Sequence, residues 1–110
     1  MIIKIPDDLP SISTNAYYSG MHWSKRKRIA DTWHMRIKAL CRQAKISKVK
    51  KCKLIFDFNN RYDLDNNSAM IKMIIDGLVF AGVLPDDNKD HVKEIVIRES
   101  SQNRVTILEL

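Results

Sequence analysis

The feature that most constrains the fold is a mostly apolar helix predicted over residues 67–81. Its charged residues are Lys72 and Asp76, and Gly82 follows as a C-terminal cap, with Pro85 preventing continuation. The apolar stretch is far shorter than the roughly 20 residues that a bilayer crossing needs. The segment therefore predicts a core helix in a protein that has no contact with a membrane.

Four other segments predict strands. Residues 52–58 alternate between apolar and other side chains, which is typical of a strand with one buried face. Residues 2–6 predict a first strand. Residues 91–99 and 104–110 predict two last strands, which we expect to form a hairpin around the turn-like residues 100–103.

A second helix is predicted from about Ser24, as its N-cap, to Lys45, after a loop through Pro10 to Gly20. Steps of three and four residues give it an apolar stripe made of Ile29, Trp33, Ile37, Leu40, Cys41 and Ala44. In that register Trp33 is interpreted as a core anchor and not as a base-stacking residue. The roles of His22, Trp23 and His34 stay open.

These segments predict one α/β domain over residues 1–110: a small two-layer sandwich with a four-stranded mixed sheet and two helices, in the order β-α-β-α-β-β. A chain of 110 residues has a modest core, so a homodimer would bury useful additional apolar surface. No secretion signal precedes the first strand, which favours a cytoplasmic location. Cys41 and Cys52 have no zinc-ligand spacing, and we expect both to be buried and free of a disulfide.

Charge is strongly segregated along the chain. Residues 21–53 contain twelve lysines and arginines against one aspartate, whereas the whole chain has a net charge of +6. A solvated helix face is one explanation, but such faces normally mix charges to form ion pairs at i,i+4 spacing. Phosphate is therefore the favoured counter-charge, and the predicted DNA-contacting residues are Lys25, Arg26, Lys27, Arg28, Lys48, Lys50, Lys51 and Arg61.

The acidic residues that suggest chemistry begin with Asp63 and Asp65, which point the same way if the chain there is extended. Two convergent carboxylates favour a hard cation such as Mg²⁺ or Mn²⁺. Asp65, Ser68, Lys72 and Asp76 are spaced for one helix face. Lys72 and Asp76 could equally be a simple ion pair on a solvated face.

A third acidic element, Asp86-Asp87, lies in the turn after Gly82. Taken alone it is explained by turn chemistry, for which Asp, Asn and Pro are common choices. Taken with the aspartate pair and Lys72, it could supply a further carboxylate to a metal site and leave the lysine to steady the charge of a phosphate.

The run Asp63-x-Asp65-Asn66, Lys72, Asp76-Gly77-Leu78, Ala81-Gly82-Val83 and Asp86-Asp87 resembles the RusA family of Holliday junction resolvases, closely over residues 61–92 and more loosely over Asn15-Ala16-Tyr17-Tyr18 and the basic helix. The resemblance implies a dimeric, Mg²⁺- or Mn²⁺-dependent endonuclease of bacteria or their phages that resolves four-way DNA junctions by paired nicks in recombination and repair. It implies metal ligands at Asp63, Asp65 and Asp87 and an essential lysine at Lys72. Asp76 and Asp86 are expected to support them.

One departure concerns Lys72, which follows the Asp-Asn step about three residues later than in the best-known members, a rotation of about 60° on a helix. Two alternatives to junction resolution also stay open. The chain could be a DNA protein that binds junctions without cutting them, since binding needs only the basic region. It could instead be a nuclease for other branched DNA, because the aspartates define hydrolysis and not substrate shape.

Overall fold

Four strands form one mixed sheet in this protein. The structure, a computed structural model, describes residues 1–110. Its elements follow the chain as β1 (Ile2–Lys4), α1 (Thr14–Tyr18), α2 (Trp23–Gln43), β2 (Cys52–Phe58), a 3₁₀ turn (Leu64–Asn67), α3 (Ser68–Phe80), β3 (Val92–Glu99) and β4 (Arg104–Glu109). The strand order in the sheet is β1-β4-β2-β3. The predicted α/β class and four-stranded mixed sheet are confirmed, with one further helix, α1.

The predicted hairpin of the last two strands is wrong, because β2 lies between them. β3 pairs with β2 in parallel, across the α3 connection, and β4 pairs with the other edge of β2 in antiparallel fashion. The connecting residues cross the end of β2, where the Ser100 amide donates to the Phe58 carbonyl and the Asn59 amide to Asn103 Oδ1. The turn-like composition of residues 100–103 therefore located the connection between β3 and β4 correctly. It did not reveal that these two strands are not neighbours in the sheet.

Helices α2 and α3 cover one face of the sheet. That face carries Leu54, Phe56 and Phe58 of β2, which are buried, as are most residues of α3. The two helices approach closely at Gly77, where an added Cβ would lie 2.7 Å from Cβ of Ile37. Glycine at this position therefore sets the distance between α2 and α3.

The predicted α2 stripe is largely confirmed. Trp33, Ile37 and Cys41 are buried, Ile29 and Leu40 pack at the edge of the core, and Ala44 is exposed. Trp33 is a core residue, as expected, and its indole N–H donates to the Pro10 carbonyl at 3.0 Å.

Two expectations about helix starts are wrong. The segment from Pro10 to Gly20 contains α1, whose first turn is capped by Ser13. α2 begins at Trp23, close to the expected start, but its N-cap is His22 and not Ser24, because the His22 ring accepts from the Ser24 amide. The first strand is also shorter than expected and ends at Lys4.

Helices α2 and α3 both end with the paired hydrogen bonds of a Schellman motif. After α3 the left-handed position is Gly82, at φ 77°, so the predicted cap is confirmed. After α2 the same position is Lys45, at φ 54°. A side chain in that region is strained by roughly 1–2 kcal/mol relative to glycine.

On the open face of the sheet, Asp57 of β2 joins three strands. It lies directly opposite Arg98 of β3 and Arg104 of β4, and both arginines donate to its carboxylate at 2.8 Å. Hydrogen bonds from Arg98, and then from Arg104, hold the pKa of this buried carboxyl below its usual range. The stability that the depressed pKa contributes is present at neutral pH and is lost as the pH falls through the lowered value.

Cys41 and Cys52 are both buried and free, as the sequence predicts. Burial raises the pKa of the Cys41 thiol to about 11, so the group is protonated and unreactive at neutral pH. None of the helices combines the length and the apolar character that a membrane crossing requires.

We expect Gly77→Ala to destabilise the protein by about 1–3 kcal/mol, although alanine is the better helix former, because its Cβ would push α3 away from Ile37. Urea unfolding followed by circular dichroism measures the effect. Thr32→Ala, at an exposed position of α2, is the control for helix propensity and should be neutral or stabilising. Equal or greater stability of Gly77→Ala would contradict the close packing.

Candidate functional site

The acidic loop, defined as residues 61–67, is organised by a fully buried asparagine. Asn67 is 0 % exposed. Its Nδ2 donates to the carbonyls of Asp63 and Leu64, and its Oδ1 accepts from Asn60 at 2.8 Å. A buried amide with both ends satisfied fixes the local backbone, while the carboxylates of Asp63 and Asp65 stay exposed.

Helix α1 holds the acidic loop from outside. The Thr14 hydroxyl donates to the Asn66 carbonyl and accepts from the Ala69 amide at 2.9 Å, and the Asn15 amide donates to Asn66 Oδ1. α3 has no cap from its own Asn67 side chain, so Thr14 supplies one from a distant part of the chain. The same short helix thus fixes both the loop and the start of α3.

Lys72 lies between two carboxylates on the exposed face of α3. Its ammonium donates to Asp76 at 2.9 Å and also to Asp87, in the loop after α3. The bond to Asp87, and then the bond to Asp76, raises the pKa of Lys72. The bond from Lys72 in turn lowers the pKa of Asp87. Lys72 and Asp76 therefore form the simple ion pair that the sequence also allowed, extended by Asp87.

Asp86 has the turn role that its neighbours suggested. Its carboxylate accepts from the Asp87 amide at 2.7 Å and from the Asn88 side chain at 3.2 Å. It orders the turn that presents Asp87 to Lys72. Its supporting role is thus structural in this arrangement.

The expected convergence of Asp63, Asp65 and Asp87 does not occur in this arrangement. No group of three or more His, Cys, Asp or Glu side chains is placed to hold a metal ion. Asp63 and Asp65 lie before α3. Asp87 lies after α3 and forms an ion pair with the ammonium of Lys72.

The donor chemistry itself suits a hard divalent ion. Asp63 and Asp65 are exposed, and neither carboxylate is used by a cation or a side-chain cap. Carboxylate oxygens are the ligands that Mg²⁺ prefers. Metal ligation by the full set would require Asp87 to exchange its lysine partner for the ion.

The start of the basic helix lies beside the acidic loop. The Tyr17 hydroxyl of α1 donates to the Arg26 carbonyl at 3.1 Å, so α1 bridges the first turns of α2 to the loop. Lys25, Lys27 and Arg28 are exposed there, and Arg26 is half-buried. Lys27 is paired with Asp31 at 2.8 Å, but the other exposed cations have no carboxylate partner.

The second basic segment, Lys48 to Lys51, lies at the opposite end of β2 from the acidic loop. The Val49 amide donates to the Val83 carbonyl, and the Lys50 carbonyl bonds to the His91 ring at 2.7 Å. The segment therefore borders the loop that carries Asp86 and Asp87. Lys48, Lys50 and Lys51 are all exposed.

A polar cleft of about 280 Å³ opens beside the acidic loop, and Arg61, Asp63 and Glu99 contribute to its lining. Glu99 ends β3, and no sequence pattern marked it, because it is distant along the chain from Asp63. Asn67 and Thr14 were missed as well. Asn67 directly follows Asp65-Asn66, so its place in the motif could have marked it as a site residue. The capping role of Thr14 could not be predicted, because it depends on a contact across 55 residues.

The residues whose roles were open are also placed. His22 caps α2, Trp23 is 65 % exposed beside it, and the ring Nε2 of His34 is buried without a hydrogen-bond partner. None of them contributes to the acidic site.

No family model matches the sequence, and no curated protein matches it. The resemblance to junction resolvases therefore stays a prediction based on the quoted residues.

Asn67→Asp should destabilise the protein by about 2 kcal/mol or more, because a carboxylate cannot donate to the two carbonyls that Asn67 now satisfies. Asn66→Asp is the matched control: the Asn66 side chain only accepts, from the Asn15 amide, and a carboxylate can accept there too. Denaturant unfolding of the two variants measures the difference. Equal stability would contradict the role given to Asn67.

Lys72→Met should leave Asp76 and Asp87 facing each other without a counter-charge, at a cost of about 1 kcal/mol or less because the group is exposed. The lowered pKa of Asp87 means that the loss is present at neutral pH and disappears in acid, once that carboxyl is protonated. Thermal unfolding against pH measures it. Millimolar Mg²⁺ should restore stability to Lys72→Met at neutral pH and have no such effect on Lys25→Met.

Proposed function

We propose that this protein is a metal-dependent endonuclease for branched DNA that resolves four-way junctions by paired nicks, acting as a homodimer in the cytoplasm of a bacterium, where it is encoded by the cell or by a phage. The observation that carries the proposal is that acidic groups lie beside basic segments at both ends of α3. Asp63 and Asp65 precede the helix, in the acidic loop that α1 connects to the basic start of α2. Asp87 follows the helix, pairs with Lys72, and lies in the loop that Lys48–Lys51 border.

The basic segments have the role of binding backbone phosphates. Their exposed lysines and arginines would replace counterions on the DNA, which gives affinity that falls with salt and carries little sequence information. Arg61 is exposed in the acidic loop and lines its cleft, and it would contact a phosphate close to the reacting one.

The carboxylates have the role of holding Mg²⁺ or Mn²⁺, with Asp63, Asp65 and Asp87 as ligands. Such an ion, when bound, polarises a scissile phosphate and lowers the pKa of water. Asn67 and Thr14 hold Asp63 and Asp65 in place, and Asp76 keeps Lys72 oriented once Asp87 is engaged elsewhere. Lys72 would then be free to stabilise negative charge on the phosphate.

A second candidate is a protein that binds branched DNA without cutting it. The specific observation in its favour is that Lys72 already pairs with both Asp76 and Asp87 and that no three acidic side chains are gathered. In that case the acidic residues have a structural role, and the basic segments alone account for the function.

The deciding experiment incubates a labelled synthetic four-way junction and a linear duplex of equal length with the protein, in magnesium or in EDTA. We expect paired nicks in the junction alone, only with magnesium. Asp65→Asn should lower the rate roughly a hundredfold or more, because it removes a charged ligand. Glu109→Gln, an exposed change at the end of β4, is the control and should cut normally.

Binding that is tight but yields no nick in any metal would favour the non-cleaving protein. Metal-dependent cutting of flaps or forks in preference to junctions would assign the same chemistry to another branched substrate.

A further inference from the structure

β3 is an unpaired edge of the sheet. It is eight residues long and has β2 as its single neighbour. Apart from the bonds to β2, no backbone group of residues 93–99 forms a hydrogen bond elsewhere in the chain. An edge of this length is a template for another strand unless something prevents pairing.

The sequence of this edge is complementary to itself when it is read in the opposite direction. Residues 93–99 are Lys-Glu-Ile-Val-Ile-Arg-Glu. In an antiparallel pair of two such strands centred on Val96, Glu94 faces Arg98, Ile95 faces Ile97, and Val96 faces its own copy. The outermost positions, Lys93 and Glu99, also carry opposite charges.

We propose that the β3 edge is the docking surface for a second copy of this chain, in this antiparallel register, which joins the two four-stranded sheets into one. The two strands would be related by a two-fold axis, as in most homodimers. The proposal gives the expected homodimer a defined interface and does not rest on nuclease chemistry.

The exposed side chains fit this pairing. Glu94 is 58 % exposed and holds Lys53 only at 3.5 Å, and Arg98 is 50 % exposed although it also binds Asp57. Ile95 is 45 % exposed, which is unusual for an isoleucine on the helix-covered side of a sheet. Pairing would cover Ile95 with Ile97 of the second copy and place opposite charges together.

The charges also select one register. A shift by two residues places Glu94 or Arg98 opposite Val96, which removes the charge matches and leaves one isoleucine pair where the proposed register has two. A shift by one residue would oppose side chains from different faces of the sheet, which two strands related by a two-fold axis cannot do. Exposed charges and a bulge, such as the one near Lys93, can protect an edge strand from pairing with any other strand. Such protection does not require the strand to be complementary to its own sequence in the reverse direction, as this strand is.

The pairing also fixes the relation between the two copies. Ile95 and Ile97 share the face of the sheet that α2 and α3 cover, as shown by their register with Leu54 and Phe56. The helices of both copies would therefore lie on the same side of the joined sheet. Both acidic loops would face that side too.

The first test is sedimentation of the wild type over a range of concentrations, without DNA or metal. We expect a monomer–dimer equilibrium. Glu94→Lys should weaken dimerisation roughly tenfold or more, because it places two like-charge pairs across the axis. Glu109→Lys, the same charge change at the exposed end of β4, should dimerise as the wild type does.

The second test uses cysteine cross-linking, because Val96 alone faces its own copy. Directly opposed residues have Cα atoms about 4.5–5.5 Å apart, within the range of about 4.4–6.8 Å that a disulfide spans. Val96→Cys should form a covalent dimer under mild oxidation. Lys93→Cys, on the same strand but far from its copy, should not, and the native Cys41 and Cys52 are buried.

A wild type that stays monomeric at every concentration overturns the proposal. So does a dimer that Val96→Cys fails to cross-link, or that a folded Glu94→Lys leaves unchanged. If Glu94→Lys does not fold, the cysteine pair decides. None of these outcomes depends on DNA cleavage, so the interface and the proposed function can fail separately.

Discussion

The packing of α3 is the constraint on which the remaining structure depends. Eight of its thirteen residues are buried, between the sheet on one side and α2 on the other. A helix enclosed in this way can leave only a narrow stripe in solvent. Lys72 and Asp76 occupy that stripe, so the geometry of the core decides where the charged groups can be. It also requires β2 and β3 to run in parallel, because α3 carries the chain back along the length of the sheet.

The charges divide the surface into zones that the fold brings into contact. α1 connects the basic start of α2 to the acidic loop, and the turn after α3 connects Asp87 to the second basic segment. Opposite charges therefore lie next to one another with little direct pairing between the zones. Lys72, Asp76 and Asp87 are the exception, because there two carboxylates pair with a lysine of the chain itself.

Periodicity predicted much of the fold because it reports burial. It located α2, β2 and α3 within a few residues, along with Trp33 as a core residue and Gly82 as a cap. It could not predict that β2 separates the last two strands, since strand order depends on contacts between distant segments, including the Asp57 pairs with Arg98 and Arg104. For the site, the sequence allowed the Lys72–Asp76 ion pair, which the structure has and extends to Asp87. The sequence also led us to expect Asp87 beside Asp63 and Asp65, whereas no three acidic side chains are gathered, because pattern gives direction on a helix but not distance across a loop.

The capping of α3 by Thr14 has a consequence for motion. An amide of one helix is satisfied by a hydroxyl 55 residues away, and the same hydroxyl also bonds to the acidic loop. Neither the loop nor the first turn of α3 can open without releasing α1, and α1 cannot leave without exposing that amide. The three parts form one cooperative unit of local unfolding, whose amides should exchange with solvent together. Order in the acidic loop and order at the beginning of the basic helix are thereby coupled to a single opening event.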